Sequence, residues 1–164
     1  MAKENAPAAS HGRQHLARNR KALHDYEVLE RIEAGIQLVG TEVKVVRAGK
    51  VSLAGAYATV DKNTNEVFLE NVTIPPYDFG NRFNHPARRR RKLLLHRREI
   101  LKLRGFVEKK GHTLVPLSLY MVRGRVKVEL GVCRGKAAHD KRDALLRRES
   151  ERDADRAIAR LGRD

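Results

Sequence analysis

The chain has 164 residues, with 35 Lys/Arg against 20 Asp/Glu, a formal charge of +15 and a pI near 10.5. That excess favours association with polyanions, and the length suits one domain of ordinary size with arms. No run approaches the roughly eighteen apolar residues of a membrane span, the N-terminus lacks an apolar leader core, and a lone Cys133 excludes an internal disulfide or a cysteine-based zinc site.

A reducing, cytoplasmic setting is the expectation. With four Phe, four Tyr and no Trp, a protein that reads phosphates and shape is favoured over one built on stacked aromatics.

In chain order, residues 1–18 (MAKENAPAASHGRQHLAR) lack periodicity and read as a disordered basic arm. The stretch RNRKALHDYE (18–27) follows. Arg18, Arg20 and Lys21 supply charge, and Asn19 and His24 can hydrogen-bond to sugars or bases. Tyr26 reads first as core, with base stacking as the alternative. A strand begins at Tyr26 with Val28 and Ile32, Ala34-Gly35 signals a turn, and Ile36 and Leu38 continue as a second strand. Glu33, beside that turn, has two readings. One is a surface acid or salt-bridge partner, and the other is an acceptor for a base amino group or a ribose 2′-OH.

Thr41 reads as the N-cap of a helix over 42–48 stopped by Gly49. Strands at 56–60 and 67–72 flank a turn-rich loop, and Pro75-Pro76 ends the second. Residues 77–86 read as a polar loop with Phe79 and Phe83 as anchors. Ile100, Leu103 and Val107 mark one face of a helix over 96–110. Two last strands, 113–121 and 125–133, flank an Arg123-Gly124 turn, and Pro116 places a bulge or an edge in the first. The pattern argues for an antiparallel sheet, curled or closed, with small helices.

Two basic segments stand out. From Arg88 to Arg104, nine cations (including Arg89, Arg90, Arg91 and Lys92) face one acid, Glu99. A solvated helix face is one reading. A surface for phosphate backbones is the other and the favoured one, because charges of one sign repel unless something neutralises them. The second segment is the tail, Gly135 to Asp164. It holds nine Lys/Arg and seven Asp/Glu but only Leu145, Leu146, Ile158 and Leu161 as large apolar residues. Burial on that scale cannot offset roughly 1–2 kcal/mol of ordering entropy per residue. Good helix formers dominate it, and Ala154, Ile158 and Leu161 share a helical face. The tail reads as a segment that folds against a partner.

Catalytic patterns are absent: the seven His show no metal-ligand spacing, and no phosphate-binding glycine loop or nucleophile elbow occurs. The expectation is a non-enzyme without cofactor or small-molecule substrate.

The segments NRKALHDYEVLERIEAGIQLVGTEVKVVRAGKVSL (19–53), NRFNHPARRRRKLLLHRREILKL (81–103), GHTLVPLSLY (111–120) and VKVELGVCRGKAAHDKR (126–142) resemble the SsrA-binding protein family, small protein B. The resemblance implies an oligonucleotide-binding-type antiparallel β-barrel over 19–134 and a tail, 135–164, that becomes helical on the ribosome. It implies binding to the tRNA-like domain of transfer-messenger RNA (tmRNA), one copy per RNA, and delivery to stalled ribosomes for trans-translation.

By the same resemblance Asn19, Arg20, Lys21, His24 and Glu33 face RNA, beside the basic surface of Arg89, Arg90, Arg91 and Lys92. Gly135, Lys136, His139, Asp140, Lys141 and Arg142, with Arg147, Arg148 and Ile158, would enter the decoding centre of the small subunit, against 16S rRNA, and the empty mRNA channel. The runner-up is a structural RNA-binding protein of the ribosomal type.

Overall fold

Apolar–polar alternation along this chain is realised as seven strands and four helices among the described residues. They are β1 (Gln14–Arg18), α1 (Arg20–Asp25), β2 (Tyr26–Ile36), α2 (Gly40–Arg47), β3 (Tyr57–Asp61), β4 (Glu66–Glu70), β5 (Arg91–Leu94), α3 (Arg97–Val107), β6 (His112–Val122), β7 (Arg125–Gly135) and α4 (Ala138–Leu161). The structure, a computed structural model, describes residues 12–79, 84–136 and 138–162, with the side chains of 138–144 excepted. Phe83 therefore lies outside the described residues.

All pairings are antiparallel, in the order β1-β6-β3-β4-β5-β2-β7, and β7 pairs back onto β6. Six strands thus close a ring, with β1 added alongside β6. The long pairings carry it: β2 meets β7 from Tyr26↔Gly135 to Gly35↔Lys127, and β6 meets β7 from His112↔Arg134 to Val122↔Arg125. The latter pair turns through two residues with positive φ, Arg123 (50°) and Gly124 (75°), the backbone a tight two-residue hairpin needs.

Inside the ring, period two delivers Val67, Leu69, Val128, Leu130 and Val132 to one core with Leu93 of β5, and the Pro116 bulge lets both Leu114 and Leu119 of β6 face it, joined by Val45 and Val46 of α2 and Leu103 of α3. Outside it, α1 lies over Val115, Leu117 and Cys133, contributing Ala22 and Leu23. That outer packing is tight. A Cβ on Gly131 would stand 2.8 Å from Leu117 Cδ1, so any larger residue there would force Leu117 to shift.

Four expectations are corrected. Gln14–Arg18 is a strand on β6 rather than part of a disordered arm, because Leu16 and Ala17 find core to pack on. Ala34-Gly35 is not a turn. Ala34 is buried in the core, and Gly35 pairs with both Leu94 and Lys127, its missing Cβ admitting Leu94 at close range. Thr41 is not the helix cap: α2 starts at Gly40, and Thr41 Oγ1 is hydrogen-bonded to His85 Nδ1 at 2.8 Å. Residues 91–94 form a strand inside what read as a cationic run. The bulge at Pro116 is present, as a register shift between Pro116 and Ser118.

One buried carboxylate ties several of these pieces together. Glu42 has no exposed surface, and its Oε1 accepts from Arg89 Nη2 at 2.6 Å and from the Val39 N–H at 3.0 Å. Its Oε2 accepts from Arg91 Nε at 2.5 Å. Arg91, equally buried, also donates to the carbonyls of Val72 (2.9 Å), Arg89 (2.8 Å) and Ala87 (3.2 Å). Burial alone would raise the Glu42 pKa. The donated hydrogen bonds of Arg89, Val39 and Arg91, with the Arg91 charge, outweigh it and hold the carboxyl below its ordinary value.

A carboxyl whose folded pKa is depressed stabilises the fold above its unfolded pKa, and that stability is lost as pH falls through the folded value. Glu42→Ala strands two guanidinium groups, one of them fully buried, and should cost about 3–5 kcal/mol in urea unfolding at neutral pH. The gap between variant and parent should narrow on acidification; a gap that stays constant through the carboxylate range would show that the charge of Glu42 is not what matters.

Candidate nucleic-acid interface

The same alternation that sends Ile32 and Ala34 inward places Arg31 and Glu33 on the outer face of β2. Glu33 stands opposite Glu129 of β7, so two carboxylates are cross-strand neighbours, an arrangement that needs compensation. Each has it. Glu129 Oε1 accepts from Arg31 Nη1 at 2.5 Å, and its Oε2 accepts from Ser118 Oγ at 3.4 Å. Glu33 Oε2 accepts from the Tyr120 hydroxyl at 2.5 Å and from Arg13 Nη2 at 3.4 Å.

Tyr120 is almost fully buried, and the Arg13 guanidinium lies 4.7 Å from its ring centre. Burial, then the bond to Glu33 and that group's charge, push the phenol far above its ordinary pKa. The hydroxyl therefore stays protonated and can only donate to Glu33. Both groups on Glu33 hold Oε2, and neither bonds to Oε1.

Beside Glu33 runs an open groove of about 980 Å³. Arg31 and Glu33 of β2 line one side, Arg125 and Lys127 of β7 another, and Leu94, His96, Glu99 and Lys102 come from the β5 end and α3. Leu94 is half exposed at its edge. Arg31 pairs with Glu129 and Lys102 with Glu30, whereas Arg125 and Lys127 have no ion-pair partner among the described residues. The groove thus offers two uncommitted cations, an oriented carboxylate oxygen and an exposed apolar lip. Cations of this kind suit phosphates, and the carboxylate suits an amino group or a 2′-OH.

The residues singled out from sequence fall in three places. Glu33 is at the groove. Arg20 and Lys21 are exposed on α1, and His24 Nδ1 lies 3.0 Å from Asp25 Oδ1. These sit at the other end of β2, since Tyr26 and Glu33 are separated by seven strand steps, about 23 Å. Asn19 is turned inward. It is 5% exposed, its Oδ1 accepts from Ala22 N–H at 3.1 Å, and its Nδ2 donates to the carbonyls of Leu53 (3.2 Å) and Pro116 (3.0 Å). Capping α1 and bridging two chain segments uses its hydrogen-bonding groups, leaving little for sugar or base.

The run Arg89–Lys92 is engaged with carboxylates. Arg89 and Arg91 bond Glu42, Arg90 pairs with Glu70 at 2.8 Å and lies 3.7 Å from the Phe68 ring centre, and Lys92 pairs with Glu66 at 3.0 Å. Carboxylates remote in sequence pair with these charges; Arg91 is fully buried, while the side chains of Arg90 and Lys92 stay partly exposed. Arg88, Arg97 and Arg98 are exposed without a described partner.

In the tail, Gly135 ends β7 opposite Tyr26, and Lys136 donates from its N–H to the Asp25 carbonyl at 3.2 Å. Its Nζ lies 3.5 Å from the Leu23 carbonyl oxygen. His139, Asp140, Lys141 and Arg142 lie on the α4 backbone, their side chains outside the described residues. Arg147, Arg148 and Ile158 are exposed on α4. Sequence reading missed Arg31, Leu94, Tyr120, Arg125 and Lys127. The alternation in β7 does show Arg125, Lys127 and Glu129 sharing a face, but only the register places that face against Glu33.

Among the described residues no cluster of His, Cys, Asp and Glu could hold a metal ion, and no helix is long and apolar enough to cross a membrane. The SmpB protein family model matches residues 16–160. The chain is 56% identical to an SsrA-binding protein of Clostridium beijerinckii over 143 residues, covering 87% of this chain and 90% of that protein. It is 54% identical to an SsrA-binding protein of Clostridium perfringens, covering 90% and 94%. A solved chain from a structure described as "tmRNA-SmpB: a journey to the center of the bacterial ribosome" is 51% identical, covers 79% of this chain and 93% of its own, and superposes with a TM-score of 0.64. With most of its length matched at this identity, and with a fold that superposes on the solved relative, the chain belongs to the SmpB protein family.

Proposed function

We propose that this chain binds the tRNA-like domain of tmRNA and delivers it to stalled bacterial ribosomes in the cytoplasm, as a binding protein without turnover of its own. The observation that carries the reading is the kinship with SsrA-binding proteins over nearly all of the chain. The groove supplies a physical means. Arg125 and Lys127 release counterions on meeting phosphates, which gives salt-dependent affinity, while Glu33 Oε1 discriminates by accepting from a 2′-OH or a base amino group. Leu94 adds an apolar contact that a purely electrostatic surface lacks.

The tail has the complementary task. It occupies the decoding centre and the empty mRNA channel, where Lys136, Lys141 and Arg142 pair with rRNA phosphates and His139 stacks on a base. A 24-residue helix such as α4 reaches about 36 Å, enough to extend well beyond the body.

Three measurements test this reading. Replacing Arg125 and Lys127 with Ala should reduce the slope of log affinity for tmRNA against log salt by about 1–2, whereas Arg90→Ala and Lys92→Ala should leave it nearly unchanged; the reverse pattern would return the phosphate surface to the 89–92 run. Tyr120→Phe keeps the ring and removes the hydroxyl, so it should weaken tmRNA binding several-fold and not additively with Glu33→Gln. Additive losses in that double-mutant cycle would mean Tyr120 does not act through Glu33. Because Gly135 and Lys136 belong to the folded body, a stop codon after Lys136 should spare tmRNA affinity within about twofold while abolishing tagging on stalled ribosomes; a large loss of affinity would place the tail in the RNA grip.

A further inference from the structure

At the other end of β2 from the Glu33 groove lies a second cavity, half-enclosed and about 340 Å³ in volume. Its lining includes Lys21 and Tyr26 at α1, Tyr57 of β3 with the preceding Gly55, and Thr113 of β6. We propose that this cavity holds a single unpaired nucleotide of RNA, with the base against Tyr57 and its phosphate on Lys21. The proposal rests on the RNA-binding reading above but concerns a site of its own.

Four observations point to it. Two of the chain's four Tyr line this one cavity, which concentrates the aromatic surface of an aromatic-poor protein. Tyr57 is 43% exposed, and neither its side chain nor that of Lys21 makes a hydrogen bond or ion pair with a described residue. Tyr26, by contrast, packs on the outer cluster under α1 and so forms a fixed wall. The size lies at the small end of ligand sites and suits one base rather than a stack of them.

The chemistry selects RNA that is not in a duplex. A base paired in an A-form helix hides its face, whereas an unstacked base presents a π-surface to an aromatic ring and its edge to groups such as the Thr113 hydroxyl. Position matters as well. Tyr26 is paired with Gly135, and Lys136 is hydrogen-bonded to the Asp25 carbonyl, so the cavity adjoins the point where the tail leaves the body. An RNA nucleotide held here would be gripped at the root of the tail, about 23 Å along β2 from the position of Glu33.

The test titrates the four nucleoside 5′-monophosphates, and separately ribose 5-phosphate, into the full-length isotope-labelled protein. The expected result is weak, saturable shifts of the Lys21, Tyr57 and Thr113 amides with the nucleotides, little effect from ribose 5-phosphate, and loss of the response in Tyr57→Ala. Equal shifts from ribose 5-phosphate, or nucleotide shifts confined to other surfaces, overturn the proposal. Tyr57→Ala should also weaken tmRNA binding about tenfold, the scale of one lost stack. Glu33→Gln separates the two readings: it should weaken tmRNA binding yet leave the nucleotide shifts intact. A parent protein that failed to bind tmRNA while still showing those shifts would sink the proposed function and not the cavity.

Discussion

The buried Glu42 carboxylate decides the layout on which the groove beside Glu33 depends. It accepts from Arg91 at the start of β5 and from Arg89 just before it, and Arg91 in turn binds carbonyls at Val72, Ala87 and Arg89. These bonds bring the chain after β4 back to the ring and fix where β5 begins. Since β5 fills the gap between β4 and β2, ring closure passes through this contact. The end of β5 carries Leu94, and the segment after it carries His96 into α3, so one wall of the groove is set by a carboxylate that never reaches solvent. Two ionised groups removed from water are costly unless each lone pair and N–H is matched. Here the extra carbonyl acceptors and the Val39 N–H meet most of that requirement, and within this cluster Arg89 Nε is the buried group left without a partner among the described residues.

This arrangement also redistributes the charge. A count of +15 suggests a cationic coat, and the densest run of Arg and Lys suggests its centre. Folding spends much of that run on Glu42, Glu66 and Glu70. Among the described residues, uncommitted cations elsewhere include Arg125 and Lys127 beside Glu33, Arg20 and Lys21 on α1, and Arg88, Arg97 and Arg98. Selectivity is easier to build this way. A dense run of free cations binds any phosphate chain, whereas a few cations spaced around one oriented carboxylate favour a ligand whose phosphates and hydroxyls match that spacing.

The period-two signal made β4 and β7 legible and located much of the apolar core, whereas β6 is buried continuously from Leu114 to Tyr120 and changes its inward face at the Pro116 bulge. Ring closure came from family resemblance and not from periodicity, since local alternation carries no register between β2 and β7. Gly35 misled for a physical reason: glycine marks turns, but it also marks places where a side chain from a neighbouring strand comes close. Asn19 was conspicuous as a polar residue in a basic segment, yet its role is to cap α1 and bridge Leu53 and Pro116. Glu33 was legible as a candidate. Its partner Tyr120 is 87 residues away, which no spacing argument reaches. The same distance effect hid the acids that neutralise Arg89–Lys92.

The tail follows a different logic from the body. Every described side chain from Leu145 to Gly162 is exposed, including Leu145, Leu146, Ile158 and Leu161. Helix α4 therefore rests on backbone hydrogen bonds and local pairs such as Asp153–Arg156 at 3.6 Å, contacts worth a few tenths of a kcal/mol each. At 24 residues it exceeds the length at which isolated helices become marginal, but its net stability without apolar burial is small. An element of that kind gives up little when its surroundings change and gains much when a partner covers its apolar face. Its root is the opposite case, held by the Tyr26↔Gly135 pairing and the Lys136 bond to Asp25. A body seated on RNA thus fixes the point from which the tail departs and leaves the remainder of the path to the partner it enters. A tail packed on the ring would have been more stable, but its apolar face would no longer have been available to that partner.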